Sequence, residues 1–266
     1  MGTGDPVGGM TESQTLREGR YVLVDRLGEG GMATVWRAFD QRLQVWRAIK
    51  VLLPELASKK KLLARFESEA RTMALLEHPH IVRVYDVDRD GDRVYIVMEV
   101  VEGGSLVDWQ VKHGPMPPRL AVDILVEVCQ AVDFAHDRGV IHRDIKPHNI
   151  LVDAKGICRI TDFGIAQATD DEQHLTKTGA VMGTWGYMAP EQRSDAKHVD
   201  RRADVYALAA TLYNLLTDKA PLDLFAADRD STLLEGIPEP LVPVLRRATE
   251  YRKELRQATA RELAAE

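Results

Sequence analysis

Residues 142–149 read HRDIKPHN, and two further strings, DFG at 162–164 and APE at 189–191, follow this stretch along the chain. GEGGMATV at 28–35 and AIK at 48–50 precede it. Each of these strings is too short to identify a fold alone. Their occurrence together, in this order, is the specific signal.

The ordered set resembles the signature of the protein serine/threonine kinase family, most closely its bacterial, eukaryotic-like (Hanks-type) branch. The resemblance covers about residues 17–260. It implies an α+β, bilobal protein-kinase fold, in which a small antiparallel-sheet N-lobe with one helix precedes a larger, mainly helical C-lobe. We expect a flexible leader at residues 1–16, the N-lobe at 17–101 and the C-lobe at 102–266, all in one catalytic domain.

The pattern of residues 20–100 is that of a small sheet. Runs rich in β-branched and aromatic residues, separated by turn residues, predict strands at 20–27, 34–39, 45–52, 81–86 and 93–100. Residues 62–76 instead repeat apolar side chains at helical spacing, which predicts one helix.

The later residues have a helical pattern. Apolar residues recur at helical spacing over 121–135, and Gly139 supplies a stop signal. Residues 203–216 are apolar nearly all round, which is typical of a helix buried in the centre of a lobe. The charged tail at 241–266 also predicts helix.

The activity that the resemblance implies is transfer of the γ-phosphate of ATP to serine and threonine hydroxyls of proteins. Such chemistry asks the protein mainly to position the reactants and to neutralise charge. The implied cofactors are ATP and Mg²⁺, with Mn²⁺ as a substitute metal. The implied partners are protein substrates and, for autophosphorylation in trans, a transient second copy of the chain.

The first glycine-rich string suits a loop that covers phosphate. Gly28, Glu29, Gly30 and Gly31 stand between two predicted strands, and glycine lets backbone N–H groups approach a phosphate closely. Taken alone, such a segment is as often an ordinary hairpin turn. The family has a third glycine where this chain has Ala33, and Gly31 can supply the lost flexibility.

Lys50 and Glu69 are predicted to form an ion pair. Ala48 and Lys50 alternate onto one face of their strand. Glu69 lies on the apolar stripe of the predicted helix, where a carboxylate is costly unless it meets a cation. A solvated Glu69 on the helix flank is the alternative. In the family, the matching pair holds the phosphates of ATP.

The resemblance assigns catalytic and metal-binding roles within the HRDIKPHN and DFG strings. Asp144 is implied as the base that orients the acceptor hydroxyl, and Lys146 as a cation near the transferred phosphate. Asn149 and Asp162 match the two metal-binding positions, and oxygen ligands suit Mg²⁺. His142 is expected to pack inward and to support the loop.

Contacts to ATP are also implied by the resemblance. Apolar side chains and the backbone of the segment that joins the two lobes are expected to contact adenine. The implied residues are Leu27, Val35, Ala48, Met98, Glu99, Val101 and Leu151. An apolar residue in a strand is usually part of the core, so Val35 and Leu151 have that alternative as well.

Residues 165–191 form a long polar stretch with several threonines. A segment of this length inside a compact domain is usually functional or mobile. We expect phosphorylation of Thr176, Thr178 or both, with Arg143 binding the added phosphate and ordering the segment. Unmodified loop threonines are the alternative. By resemblance, Thr184 contacts both the base and the neighbouring cation.

Two structural contacts are implied as well. Glu191 is expected to pair with a late arginine, for which Arg256 fits best by position. Asp204, at the start of the apolar helix, is expected to brace the backbone of the HRDIKPHN stretch. Residues 222–240 are shorter than is usual for the family, which puts its substrate-docking helix in doubt here.

Bulk properties exclude several classes. The chain is 45% hydrophobic and 29% charged, which is typical of a globular protein, and its net charge of −6 argues against nucleic-acid binding. Two cysteines are too few for a disulfide framework. No apolar run approaches the roughly 18 residues of a membrane span. We therefore expect a cytoplasmic chain, either alone or as the cytoplasmic domain of a longer membrane-anchored protein.

Two other functional classes are open. A pseudokinase would hold nucleotide and act by docking, but such proteins usually lack a catalytic residue, and here Lys50, Glu69, Asp144, Asn149 and Asp162 are all present. A small-molecule phosphotransferase would have no use for the threonine-bearing segment that ends in APE. An active protein kinase is the leading hypothesis.

Overall fold

The computed structural model describes residues 14–163, 185–194, 199–227 and 230–266, apart from the side chain of Ser231. The chain divides into two units. The first comprises Met1–Leu75 and Arg83–Val100, and the second comprises Leu76–Val82 and Val101–Glu266. The first holds a sheet and the second is mainly helical, which is the fold class that the sequence predicts.

One antiparallel sheet forms the first unit. Its strands are β1 (Thr15–Leu16), β2 (Tyr21–Glu29), β3 (Ala33–Asp40), β4 (Val45–Leu52), β5 (Val84–Asp90) and β6 (Arg93–Met98). Their spatial order is β1-β2-β3-β4-β6-β5, and all of the pairs are antiparallel. Gly91 in the β5–β6 turn has φ 59°, a conformation that costs glycine little.

Two helices follow β4, namely α1 (Pro54–Ala57) and α2 (Lys60–Ala74). The second is the helix that the periodicity of residues 62–76 predicts. Its buried side chains are Phe66, Glu69, Ala70 and Met73, which recur every three or four residues and so share one face of the helix.

Register across β3, β4 and β6 decides which side chains share a face of the sheet. Val35 pairs with Lys50, and Ala48 pairs with Met98. Directly paired residues lie on one face, as do residues two apart in a strand. These four side chains therefore share a face. The alternate residues Ile49, Val51, Tyr95 and Val97 belong instead to a buried apolar cluster with Leu16, Tyr21, Leu23 and Ala38.

The second unit contains most of the helices. They are α3 (Leu106–His113), α4 (Pro118–His136), α5 (Pro190–Ser194), α6 (Arg202–Thr217), α7 (Val242–Ala248) and α8 (Ala260–Ala265). A short antiparallel pair, β7 (Ile150–Val152) and β8 (Cys158–Ile160), accompanies them. Among the residues described, no helix combines the length and apolarity needed to cross a membrane.

The two longest helices of this unit follow the sequence pattern. Almost every residue of α6 is buried, as expected for a helix that is apolar nearly all round. One face of α4 is buried, including Cys129, and Gly139 with φ 75° lies just beyond its end. That left-handed conformation suits the helix stop signal that glycine provides.

The strand predicted at 81–86 is displaced. It begins at Val84 and runs on to Asp90. The preceding backbone belongs to the second unit, where Val82 N donates to the Ile160 carbonyl at 3.0 Å and Ile160 N donates to the His80 carbonyl at 2.9 Å. Residues 81 and 82, which the β-rich composition assigned to the strand, therefore lie beside β8 instead.

The charged tail is not one helix. Arg256 lies between α7 and α8 and donates to the carbonyls of Glu250 at 2.7 Å and Tyr251 at 3.2 Å. A continuous helix would use those carbonyls itself, so the buried arginine interrupts it. Helix α8 then starts afresh at Thr259, whose hydroxyl accepts from Glu262 N at 3.0 Å.

The stretch 222–240 contains only 3₁₀ turns among its described residues. They are Leu224–Ala226, Ser231–Leu234 and Glu239–Leu241. The described part of this stretch therefore offers no α-helix on which a protein substrate could dock, which agrees with the short length noted in the sequence.

Candidate active site

Lys50 and Glu69 form the ion pair that the sequence predicts. Lys50 Nζ lies 2.8 Å from Glu69 Oε1, and the two side chains are 14% and 11% exposed. The alternative of a solvated glutamate is wrong, because burying this carboxylate requires a cation beside it. Strand β4 and helix α2 thus fix the lysine on the sheet face that also carries Val35, Ala48 and Met98.

The glycine-rich string ends β2 and turns into β3. Gly30 N donates to the Ala33 carbonyl at 2.9 Å. A Cβ atom on Gly28 would meet no heavy atom within 4 Å, and one on Gly30 would meet only the Ala33 carbonyl oxygen, at 3.7 Å. Neither glycine has a positive φ. Neither packing nor backbone strain therefore requires glycine at these two positions.

Several implied adenine contacts lie in the first unit. Ala48 and Met98 are buried, and Val35 is partly buried on the same sheet face. Leu27, in β2, is 51% exposed. The shared face agrees with a common role for the first three side chains, and the adenine contacts themselves stay predictions.

The other implied adenine contacts are more dispersed. Glu99 belongs to the first unit, where its N–H donates to the Arg83 carbonyl at 2.8 Å. Val101 and Leu151 belong to the second unit and are partly buried. Leu151 lies in β7, opposite Arg159 of β8.

Asp144 is held through both of its carboxylate oxygens. Lys146 Nζ lies 3.0 Å from Oδ1, and Asn149 Nδ2 donates to Oδ2 at 3.0 Å. The same amide donates to the Asp144 carbonyl at 2.8 Å. These contacts fix the orientation of the carboxylate. Because the side chain is 20% exposed, it is still accessible to a reactant.

The backbone that leads into Asp144 has an unusual conformation. Arg143 has φ 66°, in the left-handed region that non-glycine residues rarely adopt. Such a conformation costs about 1–3 kcal/mol and persists where the surroundings fix it. Asp204 supplies two of the fixing contacts, since Oδ2 accepts from His142 N and Oδ1 from Arg143 N, both at 2.8 Å. The predicted brace is confirmed.

His136 keeps the buried Asp204 charged. Its Nε2 lies 2.7 Å from Asp204 Oδ2. Burial by itself would raise the pKa of Asp204, but the hydrogen bonds from His136 and from the Arg143 N–H hold that pKa below its ordinary value. Sequence reasoning missed His136, whose one signal was a polar residue at the end of an otherwise apolar helical pattern.

His142 packs inward, as predicted. The side chain is fully buried, its Nδ1 accepts from Asp144 N at 3.2 Å, and its Nε2 donates to the Thr161 carbonyl at 3.0 Å. Phe163 lies beside it, with ring centroids 4.4 Å apart. Burial lowers the pKa of His142, so the ring is neutral and supports the loop structurally.

Asn149 and Asp162 fit the metal-binding role that the resemblance gives them. Asn149 makes its contacts with Asp144 through Nδ2, so its Oδ1 is the atom that could bind a metal. Asp162 is partly buried and has φ 59°. In the described residues, no group of three or more histidine, cysteine, aspartate or glutamate side chains could hold a metal ion. Two protein oxygens completed by water and phosphate oxygens suit Mg²⁺.

Glu191 and Arg256 form the predicted pair. The guanidinium meets both carboxylate oxygens, at 2.7 and 2.8 Å, and the arginine side chain is fully buried. Paired geometry of this kind is the strong form of an arginine–carboxylate contact. It fixes the start of α5 to the C-terminal tail.

Gln192 is a second residue that sequence reasoning missed. Its Nε2 donates to the Arg143 carbonyl at 3.0 Å, and its Oε1 accepts from Ala189 N at 3.1 Å. Both partners are backbone atoms, which leave no pattern in the sequence. Its position next to the APE string was the available signal.

Three predicted regulatory residues lie outside the described residues, namely Thr176, Thr178 and Thr184. Arg143, the expected phosphate-binding residue, is described and is partly buried.

Comparison with known proteins gives consistent matches. The protein kinase domain family matches residues 21–257. Serine/threonine-protein kinase PknB of Mycobacterium leprae is 46% identical over 207 residues, which are 76% of this chain and 33% of that protein. PknB of Mycolicibacterium smegmatis is 41% identical over 261 residues, 96% of this chain and 41% of that protein.

A more distant relative and a solved structure agree. PrkC of Bacillus subtilis is 40% identical over 205 residues, 77% of this chain and 31% of that protein. The crystal structure of the Mycobacterium tuberculosis PknI kinase domain is similar with a TM-score of 0.75 and 29% identity, covering 97% of this chain and 98% of that one. The chain thus spans less than half of the length of these three curated relatives.

Proposed function

This chain belongs to the protein kinase family as a bacterial Hanks-type serine/threonine kinase domain, and from that premise we propose that it transfers the γ-phosphate of ATP to serine and threonine hydroxyls of proteins. The observation that carries the proposal is Asp144, whose two oxygens are held by Lys146 and Asn149 at the end of a strained backbone. A fixed, accessible carboxylate suits the orientation of an acceptor hydroxyl.

The first unit is assigned the nucleotide contacts. Lys50, held by Glu69, neutralises charge on the phosphates. The backbone of residues 28–31 covers them, which accounts for glycines that neither packing nor strain requires. Adenine contacts are assigned to Leu27, Val35, Ala48, Met98 and Glu99 of this unit and to Val101 and Leu151 of the second.

The second unit is assigned the transfer step. The acceptor hydroxyl hydrogen-bonds to Asp144 and gives its proton to that carboxylate as its oxygen bonds to the γ-phosphorus. The bond between that phosphorus and the bridging oxygen breaks, which releases ADP. Lys146 places positive charge near the transferred group, and Thr184 is assigned to contact both Asp144 and Lys146.

ATP and a divalent metal are the cofactors that the family uses, and we infer that the metal is Mg²⁺, with Mn²⁺ able to replace it. Asn149 and Asp162 would hold it through oxygen atoms, the ligand type that Mg²⁺ prefers. When bound, such an ion supplies positive charge to phosphate oxygens.

A mass measurement tests the activity. Protein incubated with Mg²⁺ and ATP should become heavier by whole phosphate groups, and a serine- and threonine-rich test protein should acquire label from γ-labelled ATP. Chelation by EDTA should stop both reactions, and added Mn²⁺ should restore them. If neither protein gains phosphate under any of these conditions, the proposed activity is wrong.

We propose Thr176 and Thr178 as autophosphorylation sites whose phosphates pair with Arg143. Phosphopeptide mapping of active protein should find one or both modified. Replacing both threonines by alanine should lower kcat about tenfold, because charge-assisted hydrogen bonds that order the segment are lost. Thr169→Ala is the matched control and should leave kcat unchanged. Unmodified Thr176 and Thr178 in fully active protein would contradict the assignment.

Autophosphorylation is proposed to occur in trans, through a transient homodimer. The initial rate per molecule should then rise with protein concentration. A rate per molecule that stays constant over a wide concentration range would show reaction within one chain instead.

We further propose that residues 17–266 act as one catalytic domain in the cytoplasm, alone or as part of a longer membrane-anchored protein. Strand β1 (Thr15–Leu16), which the sequence placed in the flexible leader, belongs to this domain, because Leu16 is buried in its core. Protein kinases need ATP, which is a cytoplasmic substrate. Cys129 and Cys158 are buried and unpaired, which suits a reducing compartment. Fractionation of cells that express the native protein would test the location. Recovery of this domain on the extracytoplasmic side of the membrane would contradict the proposal.

A further inference from the structure

We propose that Gln192 is a positioning residue for Asp144, because its side-chain amide holds the carbonyl of Arg143 and so fixes the backbone that presents the base. The inference rests on the proposed kinase function and deepens it. Gln192 belongs to none of the signature strings, and it directly follows APE at 189–191.

The Gln192 amide joins two distant backbone segments. Nε2 donates to the Arg143 carbonyl at 3.0 Å, across 49 positions of sequence. Oε1 accepts from Ala189 N at 3.1 Å, and Ala189 is fully buried. Because both ends of the amide are bonded, its orientation is set, and the donor is aimed at the Arg143 carbonyl.

The bonded carbonyl belongs to the peptide plane between Arg143 and Asp144. The same plane carries Asp144 N, which donates to His142 Nδ1 at 3.2 Å. A peptide unit is planar, so holding its oxygen and its nitrogen fixes its rotation about the chain. That rotation sets the direction in which the Asp144 side chain leaves the backbone. Gln192 therefore acts on the base through its backbone, without touching the reacting atoms.

Arg143 makes this contact important. Its φ of 66° is unfavourable for a non-glycine residue, so the residue needs external contacts to stay there. Asp204 Oδ1 accepts from its N–H at 2.8 Å, and Gln192 donates to its carbonyl. Without the Gln192 contact, the peptide plane is held less firmly, by the contact from Asp144 N to His142 Nδ1 at 3.2 Å, and Asp144 can shift with it.

Contacts that do not involve Gln192 also hold α5 in place. Glu191 meets the buried Arg256 at 2.7 and 2.8 Å. Arg193 donates to the Trp185 carbonyl at 2.7 Å. These contacts hold the helix and its neighbouring segment, so loss of the Gln192 amide should change the loop before Asp144 and leave the fold intact.

Two variants separate positioning from general support. Gln192→Glu keeps an oxygen that can accept from Ala189 N and replaces the donor by a carboxylate oxygen, which cannot donate to the Arg143 carbonyl. Gln192→Met keeps the side-chain length and loses both hydrogen bonds. For Gln192→Met we expect kcat about tenfold below wild type at pH 8 and at pH 6, with KM for ATP within about twofold.

Gln192→Glu keeps the acceptor and loses the donor. Its kcat should therefore be at least as low as that of Gln192→Met, with KM for ATP again within about twofold of the wild-type value. A loss of kcat in both variants assigns the effect to the donor that holds the Arg143 carbonyl.

Ser194→Ala is the matched control. Ser194 is exposed on the same helix, and within the described part of the chain its hydroxyl bonds to the carbonyls of Pro190 and Glu191 alone, so the kcat of this variant should be unchanged. Wild-type kcat in Gln192→Met or in Gln192→Glu overturns the positioning role. So does a loss of kcat that tracks a lowered melting temperature in both variants. If the wild-type protein transfers no phosphate, the proposed kinase function fails first and this inference falls with it.

Discussion

Asp144→Asn should lower kcat for phosphate transfer by about 10³-fold, which is the middle of the range that a positioned acid–base group contributes. An amide cannot accept the proton of the acceptor hydroxyl. The substitution also replaces one carboxylate oxygen by NH₂, although both oxygens have donors beside them, Lys146 Nζ at 3.0 Å and Asn149 Nδ2 at 3.0 Å. One donor must then face another donor, so the group loses its orientation as well as its basicity.

The loss should appear in kcat and not in nucleotide affinity. Lys50 and Glu69 lie in the first unit and keep their ion pair, so we expect KM for ATP to change by less than about threefold. Asp123→Asn makes the same chemical change at an exposed position of α4 and should leave kcat unaltered. Phosphate transfer by Asp144→Asn at the wild-type rate would remove Asp144 from the reaction. The measurement is transfer of phosphate from labelled ATP to one common protein substrate by wild type, Asp144→Asn and Asp123→Asn.

Composition, periodicity and charge in the sequence predict much of this structure. Runs rich in β-branched and aromatic residues, bounded by turn residues, predict β3 and β4 to within a residue of their bounds. The Lys50–Glu69 pair could be predicted because a carboxylate on an apolar stripe demands a cation. The same reasoning could not assign the adenine contacts, since apolar strand residues such as Val35 have the same pattern whether they line a core or a ligand.

Other features have no pattern to find. Gln192 contacts the backbone of Arg143 and of Ala189, and any residue type can supply a backbone N–H or carbonyl. The buried Arg256 breaks a helix that the charged tail predicts, through bonds to backbone carbonyls. Tertiary hydrogen bonds overrode local preference at these places. Local preference held where packing on one face agreed with it, as in α2.

Asp204→Asn should destabilise the protein by about 3 kcal/mol and also lower kcat by more than about tenfold. The carboxylate is fully buried and accepts from His136 Nε2, His142 N and Arg143 N. An amide offers one oxygen, so at least one of these donors would face NH₂ and stay unsatisfied in the interior. Because two of the donors belong to the loop that presents Asp144, the loss of stability and the loss of rate should come together.

His136→Phe separates the two effects. Among the described residues, the His136 ring hydrogen-bonds to the Asp204 carboxylate alone, so its removal should reduce the free energy of unfolding while kcat falls by less than about threefold. If Asp204→Asn and His136→Phe lower kcat by similar factors, Asp204 affects the rate only through the stability of the fold.

The acid dependence of stability is an independent check on the role of Asp204. The folded-state pKa of Asp204 is lowered, so its contribution is complete above an unfolded-state pKa of about 4 and is lost as the pH falls through the folded value. The free energy of unfolding, measured with denaturant, should therefore be higher for wild type than for Asp204→Asn. This difference should be constant near neutral pH and become smaller in acid, because the amide has no proton to bind.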